Sequence, residues 1–175
     1  KIMNCLFRLE AGNNIGLGHY QRCLSLSGYL KDLDVNCSFQ INRDFTPPSE
    51  AMLYIKSEFI SKNININREL SEELQVLYAN ESIGFLSQFD LLIIDHYGLG
   101  QVYINSIKQA YPHMLIAVFD DLIKDFNMVD FVINPVSDLN LDMSIPNSFS
   151  VPVITGKEIF LPSYSKYAFF AILKY

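Results

Sequence analysis

Two hydrophobic periods alternate along the first forty residues. Residues 2–7 are apolar-rich and read as a buried strand. A polar, glycine-rich stretch follows over residues 10–18 and reads as a loop. From His19 to Lys31 the spacing turns helical, with Tyr20, Cys23, Leu24 and residues 27–30 at offsets of three and four. Residues 35–41 alternate as a second strand. Strand, glycine loop, helix and strand in that order open a parallel α/β sheet.

The pattern continues through the chain. Pro47 and Pro48 mark a turn-rich loop, and the spacing predicts a helix over residues 49–61. Residues 63–67 alternate Asn with Ile and suit a short edge strand. Ser71 is placed to cap a helix running to about Gln88, with Glu72 and Glu73 in its first turn. Residues 91–94 form an unbroken apolar run between Asp90 and Asp95, which suits a central strand covered on both faces. A helix is predicted over 101–111, ended by Pro112. Further strands are predicted over 115–119, 131–133 and 151–155, with a polar loop over 137–147. The expected fold is a Rossmann-like parallel α/β domain over residues 1–155, with 156–175 as an exit segment. No internal repeat and no low-complexity tract interrupts it.

Composition narrows the function. The 175 residues are 50% hydrophobic and 18% charged, which excludes a disordered chain. The net charge of −6 argues against a nucleic-acid partner, because no net basic surface is present to displace counterions. No apolar run approaches the length of a membrane span, and no signal peptide is visible, so a membrane partner is not expected. Cys5, Cys23 and Cys37 are an odd number with no paired spacing. They read as small buried hydrophobes in a reducing, cytoplasmic compartment. The chain begins at Lys1, which reads as a processed or trimmed start.

Candidate chemistry clusters where apolar strands end. Arg8 and Glu10, Asp95 and His96, Asp120 and Asp121, and Asn134 all follow such runs. Open parallel sheets bind ligands at that edge. Gly16 and Gly18 in Ile15-Gly16-Leu17-Gly18-His19 would let a ligand approach the backbone and the helix N–H groups. The loop is neither a dinucleotide fingerprint, since Gln21 stands where a third glycine is needed, nor a Walker A loop. His19 falls in the first helical turn, where the dipole disfavours an added positive charge, and this suits a general base. The bland alternative is a histidine that caps the helix. Arg8 and Arg22 flank the loop and could hold a phosphate or carboxylate, or could form surface salt bridges, Arg8 with Glu10. Asp120-Asp121 could serve a metal or simply form a turn, and no zinc spacing is present. His113 after Pro112 reads as a solvated loop histidine.

Taken together, the ordered motifs are more specific than any one alone. They are Phe7-Arg8-Leu9-Glu10, Ile15-Gly16-Leu17-Gly18-His19-Tyr20-Gln21-Arg22-Cys23-Leu24, Leu91-Leu92-Ile93-Ile94-Asp95-His96-Tyr97-Gly98-Leu99, and Phe119-Asp120-Asp121 with Asp130 and Asn134 downstream. The set resembles the UDP-sugar hydrolases of pseudaminic acid biosynthesis, the PseG type, and the related SpsG-type spore-coat polysaccharide proteins. Residues 156–164 also resemble the family's stretch before its second domain. The resemblance implies the N-terminal half of a glycosyltransferase-B-like architecture of two Rossmann-like domains. It implies hydrolysis of a UDP-linked 2,4-diacetamido-2,4,6-trideoxy sugar, by water attack at the anomeric carbon, without a metal or other cofactor. His19 maps onto the proposed base. Arg8, Glu10, Gly16, Gly18, Arg22, Asp95, His96, Tyr97 and Asp121 map onto positions lining the family's cleft.

Two departures carry expectations of their own. Glu10 stands where the family has Asp, so the carboxylate reaches one methylene further. The family's second, UDP-binding domain, with its Gly-Gly-Ser/Thr-Asp stretch, has no counterpart in these residues. The expected partners are therefore a UDP-sugar and a C-terminal UDP-binding domain of the same gene product, without which turnover should be slow. Three other readings share the residues: an acceptor-side glycosyltransferase domain, a non-catalytic sugar-binding module, and a metal-dependent hydrolase using Asp95, His96, Asp120 and Asp121.

Overall fold

The computed structural model describes residues 2–12, 15–48, 52–59, 68–121 and 126–134, and the backbone of 153–155. The elements are β1 (Met3–Leu9), α1 (Gly18–Lys31), β2 (Val35–Asn42), β3 (Leu53–Ser57), α2 (Glu72–Leu86), β4 (Leu91–Asp95), α3 (Gln101–Ala110), β5 (Leu115–Phe119), β6 (Phe131–Asn134) and β7 (Val153–Thr155). Among the described residues the strands form one parallel sheet, in the order β3-β2-β1-β4-β5-β6-β7. The α/β expectation holds. The order runs outward from β1 to β2 and β3 on one side, and from β4 to β7 on the other. The reversal between β1 and β4 is the topological switch point of a doubly wound sheet.

Strand alternation divides the core into two layers. Cys5, Phe7 and Leu9 of β1, Phe39 and Ile41 of β2, and Leu91 and Ile93 of β4 pack against Tyr20, Cys23, Leu26 and Leu30 of α1. Leu6, Leu92, Ile94, Ile116 and Val118 pack on the opposite face against Tyr78 and Ala79 of α2 and Tyr103, Ile104 and Ile107 of α3. Every residue of β4 is buried, as expected of a strand covered on both sides. Ser71 caps α2, its side chain accepting from the Leu74 N–H at 3.4 Å.

One predicted helix is a strand. Residues 53–57, expected within a helix over 49–61, form β3 and pair with β2 from Ser38↔Leu53 to Asn42↔Ser57. The open edge of β2 offers a full row of backbone partners, and this tertiary pairing overrides a weak local helical preference. Tyr54 then reaches the core edge, with its hydroxyl 3.0 Å from that of Tyr20 and its ring edge-on to Phe39. The expected strand over 63–67, loop over 137–147 and exit segment over 156–175 lie outside the described residues. Among the described residues, no helix is long and apolar enough to cross a membrane.

Candidate functional site

Alternation decides which side chains can meet. Asp95 ends β4 on the same face as Ile93, beneath α1, so it meets the first turns of that helix. His96 follows it and turns to the α2–α3 face. The polar residues at the switch point therefore form two clusters, back to back across the ends of β1 and β4.

The first cluster is centred on Asp95, which is fully buried. One carboxylate oxygen, Oδ1, is in contact with His19 Nδ1 and Arg22 Nη2. The other, Oδ2, accepts from Arg22 Nε at 2.5 Å and from the Cys23 thiol at 3.4 Å. Burial pushes the Asp95 carboxyl up, but the Arg22 and His19 hydrogen bonds outweigh it, and the group titrates below its ordinary value. An ionised carboxylate only accepts, so Nδ1 of His19 carries the proton facing it. In a neutral imidazole this leaves Nε2 as the basic nitrogen. The His19 ring is buried and stands edge-on to Tyr97, with centroids 4.6 Å apart. Arg22 also reaches Asp121 through Nη1 at 3.3 Å and lies over the Phe119 ring. Tyr97 donates its hydroxyl to the same Asp121 oxygen at 3.2 Å. Burial and the Asp121 charge together raise the Tyr97 phenol.

The glycine loop lies beside this cluster. Gly16 has φ +86° and pairs with Gly12 through two backbone hydrogen bonds of 2.7 and 3.1 Å, closing a tight hairpin. Among the described residues, a Cβ at Gly16 or Gly18 would meet nothing within 4 Å. Leu17 precedes α1 without a side-chain cap, and no acidic residue occupies the first turn. Among the described residues, no N-cap side chain thus engages the first helical N–H groups.

The second cluster lies on the other face. Arg8 is fully buried; Nη1 donates to its neighbour's carbonyl, Leu9 O, at 2.8 Å, and Nη2 lies 3.4 Å from Ser57 Oγ. Its guanidinium stacks over Tyr78 and is 3.8 Å from Glu10 Oε1. His96 Nδ1 accepts the Gly98 N–H at 3.0 Å, which places its ring proton on Nε2, 2.8 Å from Glu10 Oε1. That last contact is close but poorly aligned for a hydrogen bond, and Nε2 has no well-aligned partner. Tyr78 donates to Glu10 Oε1 at 3.3 Å. Burial lowers His96, against the pull of Glu10, so its imidazole is held neutral. Burial opposes ionisation of Glu10, yet the His96 N–H turned towards it, the Arg8 charge and the Tyr78 hydroxyl bring it below its usual range.

The structure thus brings His19, Arg22, Asp95, Tyr97 and Asp121 together at the loop. Arg8, Glu10 and His96 form a separate, enclosed group. The Arg8–Glu10 pair is buried rather than a surface bridge, and Asp95 engages His19 and Arg22 rather than His96. Asp120 is buried, and Asp121 reaches Arg22. Asp130 is tied to the amino end of β5, accepting from Ile116 N and Lys108 Nζ. His113 is exposed. Among the described residues, no group of three or more His, Cys, Asp or Glu side chains is placed to hold a metal ion. Sequence reasoning missed Tyr78, Ser57 and Gln40 around Arg8. The signal was present: an arginine inside a central apolar strand requires buried acceptors from its neighbours.

No protein-family model matches the chain, and no curated protein matches it. Solved structures do. MurG of Acinetobacter baumannii aligns with 87% of this chain and 45% of its own, at 13% identity and a TM-score of 0.51. An α-glucosyltransferase in complex with UDP-glucose and DNA containing an abasic site aligns with 87% of this chain and 42% of its own, at 12% identity and a TM-score of 0.46. The chain therefore spans less than half the length of these two structures. The likeness to MurG shows the fold alone, a Rossmann-like α/β domain.

Proposed function

We propose that this chain is the N-terminal, base-carrying half of a UDP-sugar hydrolase of the pseudaminic-acid type. Residues 1–155 form its domain, and 156–175 lead towards a UDP-binding domain of the same gene product. The observation that carries the reading is the His19–Asp95–Arg22 constellation at the switch point, beside the glycine loop. Asp95 holds the His19 proton on Nδ1 and turns Nε2 into the acceptor. His19 Nε2 takes a proton from water as the water attacks the anomeric carbon, through an oxocarbenium-like transition state, and UDP leaves. The backbones of Gly16 and Gly18 and the start of α1 suit the negatively charged diphosphate. Tyr97 and Asp121 orient sugar hydroxyls or amides from the rim. The substrate class comes from the sequence resemblance, with Glu10 in place of the family's Asp. The compartment is cytoplasmic, where nucleotide sugars and reduced thiols are at hand.

A second reading keeps the same base. In an acceptor-side glycosyltransferase domain, His19 would deprotonate a sugar hydroxyl instead of water, and the fold is one that glycosyltransferases use. One experiment separates the two. The gene product at its native length is mixed with the UDP-diacetamido-trideoxy sugar, with and without sugar acceptors, and UDP release is followed. Hydrolysis yields UDP and free sugar of inverted anomeric configuration without an acceptor, and His19→Asn lowers the rate by at least ~10²-fold. Release only with an acceptor moves the assignment to a transferase. No release under either condition moves it to a binding module. Loss of activity on adding a chelator would favour a metal-dependent mechanism.

A further inference from the structure

The enclosed cluster holds a second histidine–carboxylate pair that the proposed chemistry does not use. We infer that Glu10 and His96 are positioning residues: they lock the turn over residues 95–98, and through it set the carboxylate of Asp95 against His19. The inference rests on the reading of His19 as the base, and it reassigns two residues that the family resemblance placed against the substrate.

Three observations support it. Both side chains are enclosed: that of His96 is 0% exposed and that of Glu10 2%, against 6% for His19. His96 bridges two chain segments, with Nδ1 on its own turn at Gly98 N and Nε2 beside Glu10 after β1. The turn is also closed sterically, because a Cβ at Gly98 would lie 3.0 Å from His96 Cε1 and 2.7 Å from Leu70 Cγ. Asp95 is bonded directly to His96, so a rotation of the turn swings its carboxylate. The last residues of β1 and β4 are themselves in register, Leu9 opposite Asp95, so Glu10 and His96 leave adjacent strands side by side.

Their surroundings fix the charge states. Glu10 and Arg8 face His96 from β1 and its end, Tyr78 faces it from α2 with ring centroids 5.8 Å apart, and His19 acts on it from α1. A neutral His96 beside an ionised Glu10 keeps its proton on Nε2, as the clamp requires. The Arg8 cation over Tyr78 and the Tyr78 hydroxyl on Glu10 hold the carboxylate from behind.

The test uses the native-length protein and two readouts. The first is the low-field proton resonance of His19 Nδ1–H, assigned by its loss in His19→Gln. The second is the separate effect on kcat and KM for UDP release. Glu10→Gln removes the charge, and His96→Asn keeps an acceptor for Gly98 N–H while losing the link to Glu10. Both are expected to shift or broaden the resonance and to lower kcat by about 10-fold or more, with KM little changed, because small misplacements of a catalytic group cost up to about 10²-fold. Glu10→Asp keeps the charge and is expected to retain most of both signals. An unchanged resonance in the folded Glu10→Gln and His96→Asn proteins overturns the inference, as does a rise in KM at constant kcat. If the wild-type protein releases no UDP, the proposed function fails, and the resonance alone still decides the positioning role.

Discussion

Replacing Asp95 with Asn tests the central constellation through stability and rate together. Asp95 accepts from His19, twice from Arg22 and from Cys23, using both oxygens. An amide has one acceptor and one donor end. Whichever way it turns, its NH2 meets an Arg22 N–H, and one bond to the guanidinium is lost. The Arg22 charge is then compensated only by Asp121 at 3.3 Å. Breaking a buried ion pair from one side costs about 3–5 kcal/mol. Arg22 retains 15% side-chain exposure and its Asp121 contact, so the lower end, about 3 kcal/mol, applies. For a domain of this size that is a fall in Tm of about 6–12 °C. Turned with its NH2 at the Oδ1 site, the amide offers an N–H to His19 and favours the tautomer with its proton on Nε2, and turnover should then fall by about 10²- to 10⁴-fold. Thermal unfolding by circular dichroism and UDP release from the native-length protein read the two effects. An Asp95→Asn protein that melts within about 2 °C of wild type would falsify the buried-pair argument. Near-normal turnover in the same variant would remove Asp95 from the mechanism.

Acid should destabilise the fold in two stages. His96 is held neutral below its ordinary pKa, so its contribution is complete above about 6.5 and is lost as pH falls towards the folded value. Asp95 and Glu10, both lowered, add a second loss below about pH 4. Tm measured from pH 8 to pH 3 should show both stages, and His96→Asn should lack the first; identical profiles refute the assignment. At Gly16 an added Cβ meets no atom of the described residues, so Gly16→Ala should cost only the strain of φ +86°, about 1–2 kcal/mol by denaturant titration. A neutral Gly16→Ala would show that the loop relaxes to another backbone. Ser71→Ala should cost about 1 kcal/mol by the same titration, through loss of the α2 cap, and an unchanged midpoint would mean that the 3.4 Å contact contributes nothing.

The fold was legible where burial is two-sided. An unbroken run such as Leu91-Leu92-Ile93-Ile94 suits a central strand, and its flanking aspartates mark its ends. The edge was not legible. Leu53-Tyr54-Ile55-Lys56-Ser57 has mixed polarity and half-exposed side chains, so no period stands out, and only the vacant flank of β2 makes it a strand. Information about an edge strand lies in its neighbour, which a local reading of its own residues does not consult.

The site follows the same logic one level up. Sequence position placed these polar residues at one end of the sheet, because strand ends are visible as polar residues after apolar runs. It could not assign them to faces, since that requires the register of the strands. Once Ile93 is known to face α1, Asp95 must face it too, two residues on, and His96 must face away. Residues adjacent in the sequence are thereby divided between two partners. Asp95 becomes the anchor of His19, and His96 the neighbour of Glu10. The arginines divide in the same way. Arg22 leaves α1 towards Asp95 and stays at the rim, whereas Arg8 shares its face with Gln40, directly opposite on β2, and is sealed beneath Tyr78. The alternation of a strand, which hides a hydrophobic face from water, here separates the His19–Asp95–Arg22 group beneath α1 from the Arg8–Glu10–His96 group on the opposite face.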